Sequence, residues 1–383
     1  MSPPKVLVIT NIRSYHQVDL FDAIAARGAC NIRVLYLLEM TPGRLWQRLP
    51  EPKHDHARVP VYFGNTRIFY NPSMIREIKN FRPDIAIICQ YVGLSNPVAM
   101  LTLSSMHVPW VFWSESPGVR FFEVKSVLSD WARALGRHVM LRAIGYGANE
   151  VWAIGPQAVD NYTKGTGLSA RRFPYFSNLK RFQRDRTDTG KQIGILFAGR
   201  YSFRKGFDTY LNVLERLAVS HRSANWTAVT CGDGELKMLL ERVSPEVRSR
   251  VSNIGFRELN EMPDIYNEHD VLLCPSRYDG WGMVIPEALA AGVIVLSTSA
   301  MGSALDIGPR PGHVLFDPDD EKGMAEMLGE LISNPSSIIL RRRDAIEAAK
   351  QYDAQCGAAL FENYVLELFE RSACRSIESP NGD

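Results

Sequence analysis

The chain predicts an α/β architecture of two doubly wound, Rossmann-like domains, and three observations carry that expectation. Short apolar runs alternate with helical patterns in the first half, the same alternation continues from about residue 190 to 355, and 383 residues are long for one core. The 45% hydrophobic content is ordinary for a soluble protein.

In the first half, Lys5-Val6-Leu7-Val8-Ile9-Thr10 reads as a buried strand feeding a helix from about Val18 to Arg27. Further strands are expected at Ile32 to Leu38, Asp84 to Cys89 and Val108 to Trp113. The polar stretch Asn178 to Gly190 interrupts the periodic pattern and reads as a linker. The expected organisation is a first domain over 1–185, a second over 186–355, and a C-terminal helix, about Ala358 to Arg371, with a polar tail over 356–383.

In the second half, Asp270-Val271-Leu272-Leu273-Cys274-Pro275 is a short apolar run bounded by charge and proline, the pattern of a parallel strand covered on both faces. Ligands of open α/β sheets sit outside the carboxyl ends of such strands. There the chain places Ser276-Arg277-Tyr278-Asp279-Gly280-Trp281-Gly282-Met283-Val284-Ile285-Pro286-Glu287. Gly280 and Gly282 leave backbone amides uncovered for hydroxyl or phosphate oxygens, and the next helix adds the positive end of its dipole. Glu287, about one turn in, suits the vicinal diol of a ribose, and Asp279 suits a second polyol. On this segment alone a helix-capping Asp and a surface Glu are the competing reading.

A second junction runs from Ile193 through Gly199 and Arg200 to Tyr201-Ser202-Phe203-Arg204-Lys205-Gly206, with a helical pattern from Phe207. A diphosphate there would meet Arg200 as a forked donor, Lys205 as a point charge and the first free amides of a helix. Solvated loop cations are the alternative. Strands also run into glycine turns at Cys231-Gly232-Asp233-Gly234 and at Asn253-Ile254-Gly255-Phe256-Arg257.

Asp279-x7-Glu287 with its Gly-Trp-Gly, preceded by Gly199-Arg200-x4-Lys205-Gly206, resembles the paired-acid motif and phosphate clamp of retaining GT-B glycosyltransferases of family 4, the glycosyl transferases group 1. The usual first acid is Glu; here it is Asp, one methylene shorter. The resemblance implies a GT-B fold, two Rossmann-like domains facing a central cleft, with the acceptor side on 1–185, the nucleotide sugar on 186–355 and the C-terminal helix crossing back to the first domain. It also implies sugar transfer with retention from a nucleotide-diphosphate donor. Donor contacts implied are Gly199, Arg200, Lys205, Gly232, Phe256, Arg257, Asp279, Gly280, Trp281, Gly282, Met283, Val284 and Glu287, with Arg200, Lys205 and Asp279 serving the reaction. The downstream segments Gly292 to Thr298 and Gly312 to Pro318 fit the same pattern.

The first half departs from that pattern. Many members carry a Gly-Gly loop after the first strand, whereas this chain has Asn11-Ile12-Arg13-Ser14-Tyr15-His16-Gln17-Val18-Asp19. Tyr15, His16 and Gln17 are candidates for an acceptor or donor phosphate, against the plainer reading of exposed loop residues. Where many members have a His, Trp113-Ser114-Glu115-Ser116-Pro117 offers Glu115, a candidate catalytic or acceptor contact or a helix-cap acid.

Cys30, Cys89, Cys231, Cys274, Cys356 and Cys374 lack Cys-x-x-Cys pairing, so neither a metal site nor a disulfide framework is expected, and a reducing, cytoplasmic setting is. No cofactor beyond the nucleotide-sugar substrate is expected. A net charge of +2 without a basic tail gives no reason for nucleic-acid binding. No Gly-x-Gly-x-x-Gly follows the first strand, which argues against a nicotinamide enzyme. The expected partners are a nucleotide sugar and a carbohydrate, lipid-linked or small-molecule acceptor. Over 121–144, apolar residues including Leu135 and Val139 recur at helical spacing near Arg137 and Arg142. The stripe is expected to pack into the first domain; the alternative is peripheral docking at the inner face of a membrane. Other sugar-nucleotide chemistry, by an epimerase or hydrolase, and noncatalytic binding of the donor are the rival functions.

Overall fold

The structure, a computed structural model, describes residues 2–38, 49–64, 69–90, 93–117, 130–184 and 192–378. Residues 121–129 of the expected amphipathic segment and 185–190 of the expected linker lie outside the described residues. Among those described, one compact unit runs to Asn178 and resumes at Asp353, and the other spans Leu179–Tyr352.

The first unit is built on seven parallel strands: β1 (Lys5–Ile12), β2 (Asn31–Leu38), β3 (Asp55–Arg58), β4 (Ile85–Cys89), β5 (Trp110–Glu115), β6 (Glu150–Ile154) and β7 (Ala170–Arg172). Their order is β3-β2-β1-β4-β5-β6-β7. Val6 to Ile9 and Ile85 to Ile88 are fully buried, as continuous Val/Ile/Leu-rich runs covered on both faces should be. The direction of winding reverses between β1 and β4, which places the ligand crevice of this sheet outside their carboxyl ends.

Helix α1 (Tyr15–Arg27) begins three residues before the expected Val18. Ser14 is extended at φ −129°, and its hydroxyl bonds the Gln17 amide oxygen at 3.0 Å, which starts the first turn early. Gly28, at φ 72°, ends it in the left-handed conformation that Gly adopts without strain. Further on come α2 (Ser95–Ser105) and α3 (Asp130–Gly147). Of the stripe expected to pack into the first domain, the two residues whose burial is described do not: Leu135 is 53% and Val139 59% exposed, while Leu141 and Ile144 on another face are buried. The helix carries two apolar faces, and its end at Gly145 lies so close to the Thr166 carbonyl that a Cβ would sit 2.2 Å away. That tight packing fixes which face turns inward.

The second unit carries β8 (Ile193–Ala198), β9 (Trp226–Cys231), β10 (Val251–Gly255), β11 (Val271–Cys274), β12 (Ile294–Thr298) and β13 (His313–Phe316), ordered β10-β9-β8-β11-β12-β13 and all parallel. Winding reverses between β8 and β11. Helices α4 (Phe207–Ser220) and α5 (Val284–Ala290) follow the loops after these two strands. The C-terminal helix α6 (Ala354–Glu378) packs on the first unit, where Glu362 takes the Arg27 guanidinium at 2.8 Å and the Tyr364 hydroxyl donates to the Arg172 carbonyl at 3.2 Å.

Candidate functional site

Because β8 and β11 are neighbours, the loops at their carboxyl ends meet although they lie 74 residues apart in the chain. The Lys205 ammonium is hydrogen-bonded to Asp279 Oδ2, and Arg204 Nη1 stands 3.9 Å from Asp279 Oδ1. Both members of the Lys205–Asp279 pair are largely shielded from water, at 17% and 16% side-chain exposure. Burial works to raise the Asp279 carboxyl, but the Lys205 and Arg204 charges, the Lys205 hydrogen bond and the Trp281 backbone amide outweigh it and hold the group below its usual value.

Two glycines are required for that meeting. Gly206 has φ 67°, and a Cβ on it would lie 1.9 Å from the Pro275 carbonyl, so only glycine lets the cationic loop close on the end of β11. Gly282 has φ 92°, a backbone conformation that side-chain-bearing residues rarely adopt, and a Cβ on it would displace the Met301 methyl at 2.6 Å. Arg277 ties the arrangement down: it forks onto Asp208 at 2.7 and 2.8 Å, reaches Asp319 at 2.8 Å and donates to the Phe203 carbonyl at 2.9 Å. Its guanidinium lies 3.8 Å from the Phe203 ring centre.

The other donor-side candidates divide by orientation. Glu287, in the first turn of α5, is buried at 4% exposure and accepts the Tyr266 hydroxyl at 3.1 Å. Trp281 turns its indole inward, 5.7 Å from the Tyr352 ring, so its backbone rather than its ring borders Asp279. Gly280 and Met283 in the same loop and Val284 at the start of α5 are half-buried. Arg200 is 54% exposed and pairs with Glu235 at 3.3 Å; no ion pair places it on Asp279. Gly199 donates to the Cys231 carbonyl, and Gly232 to the Gly255 carbonyl, both at 2.9 Å, aligning the ends of β8, β9 and β10. Half-buried Phe256 and Arg257 follow β10, with Arg257 3.6 Å from Glu261.

Sequence reasoning missed Arg204, Arg277 and Tyr266. The adjacent Arg204-Lys205 was a signal for the first; nothing in the spacing marked the other two, whose roles come from tertiary contacts.

On the first unit, a hydrogen-bonded series sits at the carboxyl ends of β1, β4 and β5. Asn11 Nδ2 donates to Gln90 Oε1 at 2.9 Å, and the side chains of Gln90 and Glu115 both bond the Tyr175 phenol. Burial, then the Glu115 carboxylate, keep that phenol protonated well above its ordinary range. The His16 ring lies 4.5 Å from the Tyr175 ring, beside half-buried Tyr15. Gln17 is drawn inward: it is buried and its amide is used by Thr10 at 3.1 Å and Ser14 at 3.0 Å. Tyr175, Gln90 and Asn11 were not singled out from the sequence. Among the described residues, no group of three or more His, Cys, Asp or Glu is placed to hold a metal ion.

Residues 192–334 match the family model "Glycosyl transferases group 1". The chain is 34% identical over 138 residues to an uncharacterized 41.2 kDa protein in the cps region of Klebsiella pneumoniae, 36% of each chain. It is 26% identical over 239 residues to a GDP-mannose-dependent monoacylated α-(1-6)-phosphatidylinositol monomannoside mannosyltransferase of Corynebacterium glutamicum, 57% of this chain and 61% of that one. The matches thus span less than two thirds of either relative. A solved structure of Anabaena HepE in complex with UDP superposes with a TM-score of 0.70 at 15% identity, over 95% of this chain and all of that one. The chain has the GT-B fold, two Rossmann-like units on parallel sheets, and within it residues 192–334 carry the glycosyl transferases group 1 signature.

Proposed function

We propose that the chain is a retaining glycosyltransferase that moves a sugar, of hexose type, from a nucleotide-diphosphate donor to a hydroxyl acceptor in polysaccharide or glycoconjugate synthesis. One observation carries the reading: Lys205, Arg204 and Asp279 converge at the reversal point of the second sheet, next to the helix that holds Glu287. A diphosphate needs cations there, and Lys205 can exchange Asp279 for a phosphate oxygen. Glu287, held by the Tyr266 hydroxyl, is read as the contact to a ribose diol.

In the reaction the bond from the anomeric carbon to the diphosphate oxygen breaks and a bond to the acceptor oxygen forms on the same face. The leaving phosphate takes the acceptor's proton, and the electron pair of the broken bond stays on the diphosphate. Lys205 and the loop amides stabilise that growing charge, so the reading assigns the electrophilic role to side-chain cations and not to a metal. Asp279 positions the sugar; no glycosyl-enzyme intermediate is invoked. On the first unit, Glu115 is read as the acceptor contact, with Tyr15 and His16 beside it. The reading places the enzyme in the cytoplasm, at the inner membrane face when its acceptor is lipid-linked. The 26% identical C. glutamicum relative, named for a phosphatidylinositol mannoside acceptor, lends support to such an acceptor.

The test is a panel of nucleotide sugars without acceptor, read by thermal shift and by nucleotide release. A shift with one donor and slow release is expected. Rapid donor conversion would make the chain an epimerase or hydrolase, and no shift with any donor would overturn the reading.

A further inference from the structure

Arg13 follows β1 at its carboxyl end, where the loops of this sheet border the ligand crevice, and its side chain is 17% exposed. The acid it faces among the described residues is Glu51, whose Oε2 accepts from Arg13 Nη1 at 2.6 Å although the Glu51 side chain is 75% exposed. A shielded guanidinium is thus covered by a carboxylate that water already reaches. Ion pairs open to water in this way are worth about 1 kcal/mol or less, so another oxyanion can take the place of Glu51 at little cost.

The surroundings of Glu51 show which groups face that position. Its carboxyl is held below the usual range first by the Arg13 hydrogen bond, then by the Arg13 charge and by Arg58 and His56 nearby. Strand register sets Ile12 beside Leu38 and Tyr36 beside Arg58, so Arg13, Tyr36 and Arg58 stand at the same end of three adjoining strands. A buried frame holds them there. Asp22 on α1 accepts from the Lys53 and His54 amides at 2.8 and 3.0 Å and lies 2.6 Å from His54 Nδ1, while His54 Nε2 is 3.1 Å from the Tyr36 hydroxyl. These bonds fasten the segment that carries Glu51 to α1 and β2. The position is on the β2–β3 side of β1, whereas the neutral series through Asn11, Gln90 and Tyr175 runs toward β4 and β5. Arg13 is two residues beyond Asn11, so one molecule can set a hydroxyl in the neutral series and an acidic group on Arg13.

We propose that Arg13, with Arg58 beside it, forms an oxyanion subsite for a phosphate or carboxylate carried by the acceptor, and that the Glu51 carboxylate is the group this anion displaces. A forked guanidinium suits either anion. The proposal deepens the transferase reading by making the acceptor acidic; it rests on that reading for what the anion belongs to, and on its own residues for the site.

Isothermal titration of the full chain with glucose 6-phosphate, glucuronate and glucose tests it. At least one acidic sugar binds and glucose does not, and the acidic sugar that binds more tightly tells a phosphate from a carboxylate acceptor. Arg13→Gln weakens that binding about tenfold, and Arg13→Lys restores part of it. Glu51→Gln tightens it about threefold, because a competing carboxylate is gone. This opposition of sign is what a merely structural ion pair would not produce, and it keeps the test open even if Arg13→Gln unfolds. Glu51→Gln weakening the acidic sugar overturns the proposal, as does unchanged affinity in Arg13→Gln, binding of neither acidic sugar, or equal binding of glucose. Loss of binding in Lys205→Ala with retention in Arg13→Gln would put the probe on the cations of the second unit and overturn it as well. Thermal shift with nucleotide sugars is read on the same proteins. A shift without acidic-sugar binding sinks this subsite alone; acidic-sugar binding that depends on Arg13, with no shift, sinks the transferase reading alone.

Discussion

The carboxyl ends of the two sheets are furnished in opposite ways. In the second unit, the groups at the reversal point are ions held against counter-ions: Lys205 with Asp279, and Arg277 with Asp208 and Asp319. In the first unit, neutral donors and acceptors are strung together, from Asn11 through Gln90 to Tyr175, and end on one carboxylate, Glu115. Shielded ion pairs suit a ligand that brings its own charge, because a phosphate can replace the carboxylate without stranding the ammonium. A hydrogen-bonded series suits a neutral hydroxyl, which needs direction more than charge.

The strongest break of this comparison is Lys205→Ala. The proposed reading makes Lys205 the cation nearest the charge that develops on the diphosphate, and on it kcat for sugar transfer is expected to fall at least 100-fold, about 3 kcal/mol of barrier. Glu287→Ala on the same side is expected to weaken donor binding along with turnover, because Glu287 is read as a ribose contact rather than a charge stabiliser. Donor titration and single-turnover nucleotide release separate the two. A Lys205→Ala enzyme within threefold of the parent would remove the electrophilic role from that residue.

Buried histidines sharpen the contrast through pH. In the second unit, His313 is fully buried, hydrogen-bonded to Ser297 Oγ at 2.6 Å and through Nδ1 to the Gly308 carbonyl at 2.8 Å, with no acid among these partners. Burial pulls the imidazole from 6.5 to about 4, against the Gly308 bond and with help from Arg310. The unfolded chain therefore takes a proton below pH 6.5 that the folded chain refuses until about pH 4. Stability is full above the upper value and falls as pH drops through this window, by up to roughly 3 kcal/mol from this group. In the first unit, burial also lowers His54, but Asp22, 2.6 Å away, opposes the shift. Chemical denaturation from pH 7 to 4 is expected to flatten more in His313→Gln than in His54→Gln; the reverse order would sink the assignment.

Gly206→Ala probes the backbone that the second unit needs. With φ at 67° and a carbonyl 1.9 Å from the new methyl group, the loop must move, at an expected cost of about 2 kcal/mol. Denaturant midpoints measure it, and a loss below about 0.5 kcal/mol would show that the closure tolerates a Cβ.

These positions also explain what was legible in the sequence. Gly199, Gly206 and Gly282 have positive φ at strand ends or loop closures, and such demands leave a residue type at a fixed spacing that can be read directly. Continuous apolar runs announced β1, β8 and β11 for the same reason. Tyr175, Tyr266 and Arg277 were not legible, because each acts on partners brought near only by tertiary folding, and a lone Tyr or Arg carries no periodic signature. The outward face of α3 was half legible. Its spacing showed amphipathicity, but periodicity cannot say which of two apolar faces turns inward, and Gly145 against Thr166 decides that.

The smallest expected effects make the most selective test, since the same atom is removed on each side. Tyr266→Phe deletes the hydroxyl that donates to Glu287 at 3.1 Å and so weakens the hold on the carboxylate read as the ribose contact. Nucleotide Kd is expected to rise about fivefold, near 1 kcal/mol, with acceptor KM unchanged. Tyr175→Phe deletes the hydroxyl between Gln90 and Glu115, and acceptor KM is expected to rise by a similar factor with nucleotide Kd unchanged. Each variant keeps its ring, so the packing of Tyr266 on Phe182, at 5.7 Å, and of Tyr175 on His16, at 4.5 Å, is retained and a general loss of stability is not the expected cause. If both substitutions moved the same constant, the charged and neutral crevices would not divide donor from acceptor, and the acceptor role of the Glu115 cluster would have to be withdrawn while the Lys205 result stood on its own.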